Sequence, residues 1–391
     1  MSDAWSKEDE QSILDMIDKW VENEVRPIAK EYDQEDKYPH DLVEQMKELG
    51  LFGATIGQEY GGMGLPASIY AKIVIKVASA WMAPGGIFNS HLIQAAAIER
   101  CGTQEQKERI LPRMVEGDLR GGIALTEPNA GSDLQAIRTV AVKEGDEYVI
   151  NGAKTWITNS LNGNSLMVLV KTDTEIEPRH KGTSMFFVET KDSEGNFLPG
   201  IEVIKMKKLG YRAIDTCEVV FTNFRVPANN LIGGEEGKGF LQAVGGLELG
   251  RINVAARGAG IALGAMELAV RYAQERETFG KPIANHQAIQ LKLGEMAAKV
   301  EASRLLIEQA SAKYDAEERC DMEAGMAKYF ASETGVFCAN EAMRIFGGYS
   351  YSVEYDIERY YRDAMLMCIG EGTNEMQRII ISKQLVERYK I

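Results

Sequence analysis

The sequence predicts a mainly α-helical protein with a β domain in its middle. The expected parts are an N-terminal helical domain (1–119), a small antiparallel β barrel or sandwich (120–232) and a C-terminal four-helix bundle (233–391). Three observations carry this. Apolar residues recur at helical spacing from residue 7 to about 115, short β-type segments bounded by turn residues follow, and the helical period returns at Phe240 and persists. A chain of 391 residues also exceeds the usual size of one core, so several domains are expected.

Taken in order, Ile13, Leu14, Ile17, Trp20, Val21 and Val25 mark a first helix over about 7–33, with Pro27 as a break or new start. Helices are expected from Pro39 to Leu49, stopped by Gly50, and over Ala67–Trp81, Phe88–Cys101 and Gln104–Val115. The period then changes. Thr139–Lys143, Tyr148–Ile150, Lys154–Thr158, Leu166–Lys171, Ser184–Glu189, Ile201–Lys205 and Cys217–Phe221 are short, rich in Val, Ile, Thr and aromatics, and separated by Gly and Asn-Gly turn signals. Long helices are expected again over about Phe240–Thr278, Ala288–Asp315, Met322–Ile345 and Glu375–Lys390, enough for a bundle.

Composition narrows the function. Hydrophobic residues make up 45% and charged residues 26%, as in an ordinary soluble globular protein. A formal net charge of −14 gives no basic stripe for nucleic acid. The five cysteines are scattered, without metal-ligand spacing, and read as reduced buried thiols; the four histidines fall in no HExxH-like frame, so no metal site is expected. The N-terminus shows neither a signal-peptide block nor a transit-peptide composition, and no apolar run approaches a membrane span. A cytoplasmic protein is expected.

Several stretches carry polar or aromatic residues that packing alone does not require. Gly370-Glu371-Gly372 sets one carboxylate between two glycines at the mouth of a helix-like run, where the backbone can approach a flat ligand; the plainer reading is a first-turn acid favoured by the helix dipole. The others are Leu125-Thr126-Glu127-Pro128-Asn129-Ala130-Gly131-Ser132-Asp133, Trp156-Ile157-Thr158-Asn159, Arg276-Glu277-Thr278-Phe279-Gly280-Lys281 and Phe346-Gly347-Gly348-Tyr349. Two glycine clusters are set aside. Lys238 is followed by Gly239, which does not fit a P-loop, and Gly258, Gly260 and Gly264 lie within an apolar helical pattern, where they read as close helix packing rather than a dinucleotide fingerprint.

In that order these motifs resemble the acyl-CoA dehydrogenase family, and the resemblance covers essentially the whole chain. It implies FAD as cofactor and removal of an α-proton and a β-hydride from an acyl-CoA thioester, giving a trans-2-enoyl-CoA, with flavin N5 taking the hydride and electrons passing to an electron-transfer flavoprotein. Glu371 matches the family's base. In some relatives the base comes from the first long C-terminal helix, but the matching position here is Gly250, and Glu248, two places away, points elsewhere.

The remaining roles follow from the resemblance. Leu125, Thr126, Gly131 and Ser132 match the loop that holds flavin and pyrophosphate; Trp156 matches the residue against the isoalloxazine, with Ile157 and Thr158 beside its N5 edge. Arg276, Phe279, Gln287, Gly347 and Gly348 match groups that reach the FAD of a neighbouring subunit, which implies a homodimer at least and commonly a dimer of dimers. Thr373 and Glu375 match contacts near the pyrophosphate. Ser132, Glu248, Arg251 and Gly372 match substrate-side positions, with Arg251 near the CoA nucleotide.

Two positions depart from the pattern. Arg344 stands where relatives often have Gln against the FAD, and Ser350 replaces a frequent glycine. For the substrate, Trp81–Phe88 is expected to help line the acyl pocket. Ala83 stands where glutaryl-CoA-binding relatives place an arginine, which argues against a glutaryl carboxylate; Gly85-Gly86 either opens room for a bulky or branched group or forms a turn. The leading expectation is a short, branched or compact acyl-CoA. The alternatives are a bulkier cyclic, aromatic or dicarboxylic acyl-CoA, a same-fold flavin oxidase or monooxygenase, and a non-catalytic acyl-CoA-binding module.

Overall fold

The computed structural model describes residues 5–245 and 247–391; Met1–Ala4 and Gly246 lie outside the described residues. Helix α1 (Lys7–Trp20) opens on a capping box in which Ser6 Oγ accepts from the Asp9 amide at 3.1 Å and the Asp9 carboxylate accepts from the Ser6 amide at 3.0 Å. One wide π turn, Val21–Val25, joins it to α2 (Arg26–Glu35). Pro27 therefore does not interrupt the helix: it sits in the first turn of α2, where a missing N–H costs little. Next come α3 (His40–Glu48), α4 (Ala67–Ala80), α5 (Met82–Cys101) and α6 (Gln104–Val115). Helix α5 starts six residues before the expected Phe88. Pro84 falls in its first turn, so Gly85 and Gly86 are buried helical residues and not a turn.

The middle region holds β1 (Gly121–Ala124), β2 (Val140–Glu144), β3 (Glu147–Thr158), β4 (Ser165–Lys171), β5 (Thr183–Glu189), β6 (Ile201–Lys205) and β7 (Thr216–Pro227). They form one curled sheet in the order β1-β4-β2-β3-β7-β6, with β5 also on β4. The expected pure antiparallel arrangement needs correction, because β1 runs parallel to β4 (Gly121 beside Ser165) and Val140 of β2 meets Lys171 of β4 in parallel. The two short segments expected at 148–150 and 154–158 are one strand, β3, bent by irregularities at Ile150/Gly152 and Lys154/Ile157 against β7. A bulge of that kind re-aims side chains, and Trp156 lies inside the second one at φ 64°.

The C-terminal region begins with the short α7 (Gly239–Val244) and the 29-residue α8 (Leu247–Glu275), so the helix expected over 240–278 is two. A small hairpin follows, β8 (Glu277–Thr278) with β9 (Lys281–Pro282), then α9 (Gln287–Asp315), α10 (Asp321–Phe346), α11 (Ile357–Ile369) and α12 (Asn374–Arg388). The four expected helices are present, and α11 joins them. Its apolar positions Ile357, Tyr360, Ala364 and Met367 are interleaved with Arg359 and Asp363, which are also buried, so the binary pattern that marks a helix is blurred.

Small residues set the closest crossings. A Cβ on Gly258 would lie 2.9 Å from Ala331 O on α10; one on Gly260 would lie 2.6 Å from Ile75 O, and one on Gly264 2.2 Å from Ser79 O, both on α4. These glycines serve packing, as the sequence predicts. No helix among the described residues is long and apolar enough to cross a membrane.

Candidate active site

Glu371 stands in the turn between α11 and α12, at φ 52°, with Gly372 at φ 85°. The left-handed region is uncommon for a side-chain-bearing residue and concentrates at functional sites. The turn is held from outside. Asn374 Oδ1 accepts from Lys328 Nζ at 2.9 Å and from Ser332 Oγ at 3.0 Å, both on α10, while Gln377 Nε2 donates to Gly372 O at 3.1 Å. Thr373 caps α12, its hydroxyl accepting from the Met376 amide. Burial pushes the Lys328 ammonium down to about 8.

The Glu371 carboxylate reaches under α8 and α5. Its Oε1 accepts from Arg257 Nη2 at 3.0 Å and from Asn89 Nδ2 at 3.3 Å, while Oε2 is buried and takes no hydrogen bond. Burial raises its proton affinity above the ordinary glutamic acid range, against the opposing pull of Arg257 and then Lys328. Gly250 faces it closely: a Cβ there would stand 2.7 Å from Oε2. The alternative base position and Glu371 therefore share one space. Glu248, two residues earlier, lines a different groove with Leu65, Arg100, Tyr314 and Cys320, of about 550 Å³. Burial raises the Glu248 carboxyl too. Arg251 is buried, its Nη1 3.7 Å from Asp321 Oδ1.

A flat wall stands at the neighbouring end of the sheet. The Trp156 indole is 57% exposed, unusual for so large an apolar group. The Thr155 amide donates to Thr126 O at 2.9 Å, which sets the Leu125–Asp133 loop beside it. Within that loop Ser132 and Gly131 are exposed, and nothing lies within 4 Å of where a Gly131 Cβ would be. Ile157 points its side chain into the sheet core and is 2% exposed, so only its backbone is available to a ligand. Thr158 is half-buried. Asn159 Nδ2 then donates to Ile87 O of α5 at 2.8 Å, two residues from Asn89. Asn159 and Asn89 thus tie the end of β3 and Glu371 to the same helix, α5.

The other predicted residues gather elsewhere. Arg276 lies over the Tyr349 ring (5.7 Å), Phe279 is 97% exposed, and Gln287, Gly347 and Gly348 are exposed on adjoining elements. Arg257 and Arg276 are separated by about 28 Å along the helical rise, so this cluster belongs to a different end of the chain from Glu371. Arg344 is mostly exposed and pairs with Glu341 at 3.4 Å. Ser350 donates to Gly347 O at 2.8 Å and closes the turn that its glycine-to-serine change left open to question. Glu375 is an exposed first-turn acid of α12.

Sequence reasoning missed the residues that surround Glu371. Arg257, Asn89, Tyr211, Tyr70 and Asn253 come from four separate segments, and only folding brings them together. Arg257 carried one available signal, a charge in the apolar run Ala255–Ala259. Glu127 is buried against Lys154 (2.7 Å) and accepts from the Arg138 and Thr139 amides at 2.6 and 3.0 Å, so it anchors the loop beside Trp156. Burial pushes the Lys154 ammonium down to about 8.

A partly buried carboxylate and an exposed indole tied to the same helix, in a helix–sheet–helix fold, mark the candidate site. Comparison agrees. Residues 7–118, 122–224 and 237–386 match, in turn, the N-terminal, middle and C-terminal domains of acyl-CoA dehydrogenase. The chain is 40% identical to the acryloyl-CoA reductase (NADH) of Anaerotignum propionicum, over 97% of this chain and 95% of that one. It is 38% identical to the 3-(aryl)acrylate reductase of Clostridium sporogenes, over 97% and 99%. The solved butyryl-CoA dehydrogenase of Megasphaera elsdenii superposes with a TM-score of 0.92 at 35% identity, over 99% and 100%. The chain belongs to the acyl-CoA dehydrogenase family, a family of FAD-using oxidoreductases.

Proposed function

We propose that this protein is an FAD-dependent dehydrogenase converting an acyl-CoA thioester to its trans-2-enoyl-CoA, with Glu371 taking the α-proton. The observation that carries this is the partly buried Glu371 carboxylate, one oxygen fixed by Arg257 and Asn89 and the other buried and unbonded. A thioester α-C–H is a very weak acid, so a base of raised proton affinity is better matched to it, and donors must stabilise the developing enolate oxygen. When bound, FAD supplies the hydride acceptor for the β-carbon.

The exposed Trp156 indole and the open Gly131 loop fit a flat ring with an anionic tail. Leu125, Thr126, Gly131 and Ser132 would offer backbone donors to that tail, with Trp156 and the Ile157–Thr158 backbone along the ring. Glu248, Arg251 and Gly372, together with Ser132, would face the thioester and its CoA. Thr373 and Glu375 would lie near the pyrophosphate, Thr373 while also capping α12. Arg276, Phe279, Gln287, Gly347 and Gly348 would act across a subunit boundary, which their separation from Glu371 supports and which makes the working form a homo-oligomer. Arg344, turned toward Glu341, is the weakest of the proposed cofactor contacts. An electron-transfer flavoprotein is the proposed acceptor, and a compact acyl group the proposed substrate.

Two relatives bear the names of reductases, which favours a second reading of direction: the same residues would return the proton to an enoyl thioester. The test of Glu371 is Glu371→Gln, isosteric but unable to take the proton. FAD content and acyl-CoA binding should stay within about two-fold, and turnover should fall by at least about 10²-fold. Turnover near the parent's would remove Glu371 from this role.

A further inference from the structure

Beneath Glu371 lies a buried cation with more donors than acceptors. Arg257 is 5% exposed. Its Nη2 donates to Glu371 and its Nη1 makes only a long 3.4 Å contact with the Tyr211 hydroxyl, while Nε–H is buried with no acceptor. Asn253 donates to the Tyr70 hydroxyl at 3.0 Å, and its own Oδ1 is unbonded. The groups facing this space from α5, α8 and the loop before β7 are otherwise neutral, so Arg257 has Glu371 as its one anion among the described residues.

The space has also been shaped. Gly86 on α5 leaves the room, but the Tyr211 hydroxyl fills it, standing 1.5 Å from where a Gly86 Cβ would be. A Cβ on Gly85 would stand 4.0 Å from Cδ of the Arg257 stem. Tyr211 is fixed from behind, at φ 55°, by its amide's 2.6 Å bond to Asp363 Oδ1. A pocket built for an alkyl chain has no use for a guanidinium and a phenol at this place.

Charge balance decides what it is for. When Glu371 takes a proton its charge is lost, and Arg257 remains as a buried cation without an anion, a costly state. A saturated alkyl chain leaves that cost standing. A carboxylate on the acyl group removes it, and the planar guanidinium fork with an open Nε–H is the group best matched to one.

We propose that Arg257, with the Tyr211 and Tyr70 hydroxyls, forms a subsite for a carboxylate carried on the acyl chain, so that the substrates are thioesters of short dicarboxylic acids. The arginine comes from α8, not from the Ala83 position on α5 where glutaryl-CoA-binding relatives place one. The assignment rests on the reading that the thioester lies against Glu371.

The test uses the FAD-loaded protein under anaerobic conditions, with three length-matched pairs: succinyl- and butyryl-CoA, glutaryl- and valeryl-CoA, adipyl- and hexanoyl-CoA. Dissociation constants come from perturbation of the flavin spectrum, and rates from its bleaching. In at least one pair the dicarboxylic member should bind ten-fold tighter or more. Arg257→Met should abolish that preference, and Tyr211→Phe, a milder change should Arg257→Met not fold, should reduce it several-fold. Equal or tighter binding of the neutral member in all three pairs would overturn the subsite. So would an Arg257→Met protein that loses bleaching by both members of a pair equally, the signature of an arginine serving Glu371 alone. A flavin that no thioester perturbs or reduces would overturn the dehydrogenase reading itself.

Discussion

At the scale of single residues, Glu371 is governed by three opposing influences. Burial raises its proton affinity; Arg257 and Lys328 lower it, and the Asn89 and Arg257 hydrogen bonds favour the charged form. The net shift is upward, so this proposed base deprotonates at a higher pH than an ordinary glutamic acid. Because only the ionised carboxylate can take the α-proton, kcat/KM should rise with pH through that raised value and level off above it. A pH–rate profile of the reduction by acyl-CoA would show the acid limb above the ordinary glutamic acid range; a limb at or below that range would contradict the assignment. For folding the sign is opposite. A carboxyl whose native proton affinity is raised favours the fold at low pH, and that contribution fades as the pH climbs through its native value.

Little of this environment was legible in the sequence. Glu371 stood out because two glycines flank it, but its partners Asn89 and Arg257 lie 282 and 114 residues away. Such long-range pairs leave no local pattern. Arg257 sits inside a helix whose apolar run says only that it is buried, and Tyr211 in a loop where the adjacent Gly210 does not show that Tyr211 itself takes the left-handed φ.

Among the elements, helices were the most legible and their interruptions the least. The reading of Gly258, Gly260 and Gly264 as contact points holds because α8 is apolar all round and must be covered on several sides. Gly264→Ala should therefore force α8 from α4 and lower stability by about 1–3 kcal/mol, read as a fall in thermal midpoint; an unchanged midpoint would show that the crossing has slack. The start of α5 is hidden because Pro84 and two glycines look like a break, although a helix's first turn tolerates proline. In the sheet, the bulge that turns Trp156 outward depends on the cross-strand register with β7, which no local pattern specifies. Behind that strand, Glu127→Gln would strand the Lys154 ammonium inside the protein. Breaking a buried pair costs about 3–5 kcal/mol, and FAD retention should fall with it because the same carboxylate anchors the Leu125–Asp133 loop. Chemical denaturation and the flavin-to-protein ratio check both; full retention of both would show the pair to be incidental.

Across the whole molecule, the candidate site lies where three regions meet, and polar contacts, some of them buried, tie them. Asp33 of α2 pairs with Arg362 of α11; Asp36 accepts from the Ala213 amide at 2.9 Å and pairs with Lys205 at 2.7 Å; Asn159 reaches α5. Burial, then the nearby Asp33, pushes the Asp363 carboxyl that holds Tyr211 up to about 6. The three-part order was legible because hydrophobic period changes are long-range averages, robust to local error. The joints were not, since each is made by one or two polar residues. A third surface, with Phe279, Tyr351 and Leu291 exposed, carries the residues proposed to reach a neighbouring subunit.

The central claim is tested most directly by the visible spectrum of the purified protein, titrated anaerobically with acyl-CoAs of differing length, branching and terminal charge. The account predicts a flavin band, bleached by at least one of these thioesters without added reductant. A protein that binds no flavin even after reconstitution with FAD, or whose flavin stays oxidised with every thioester, would contradict it.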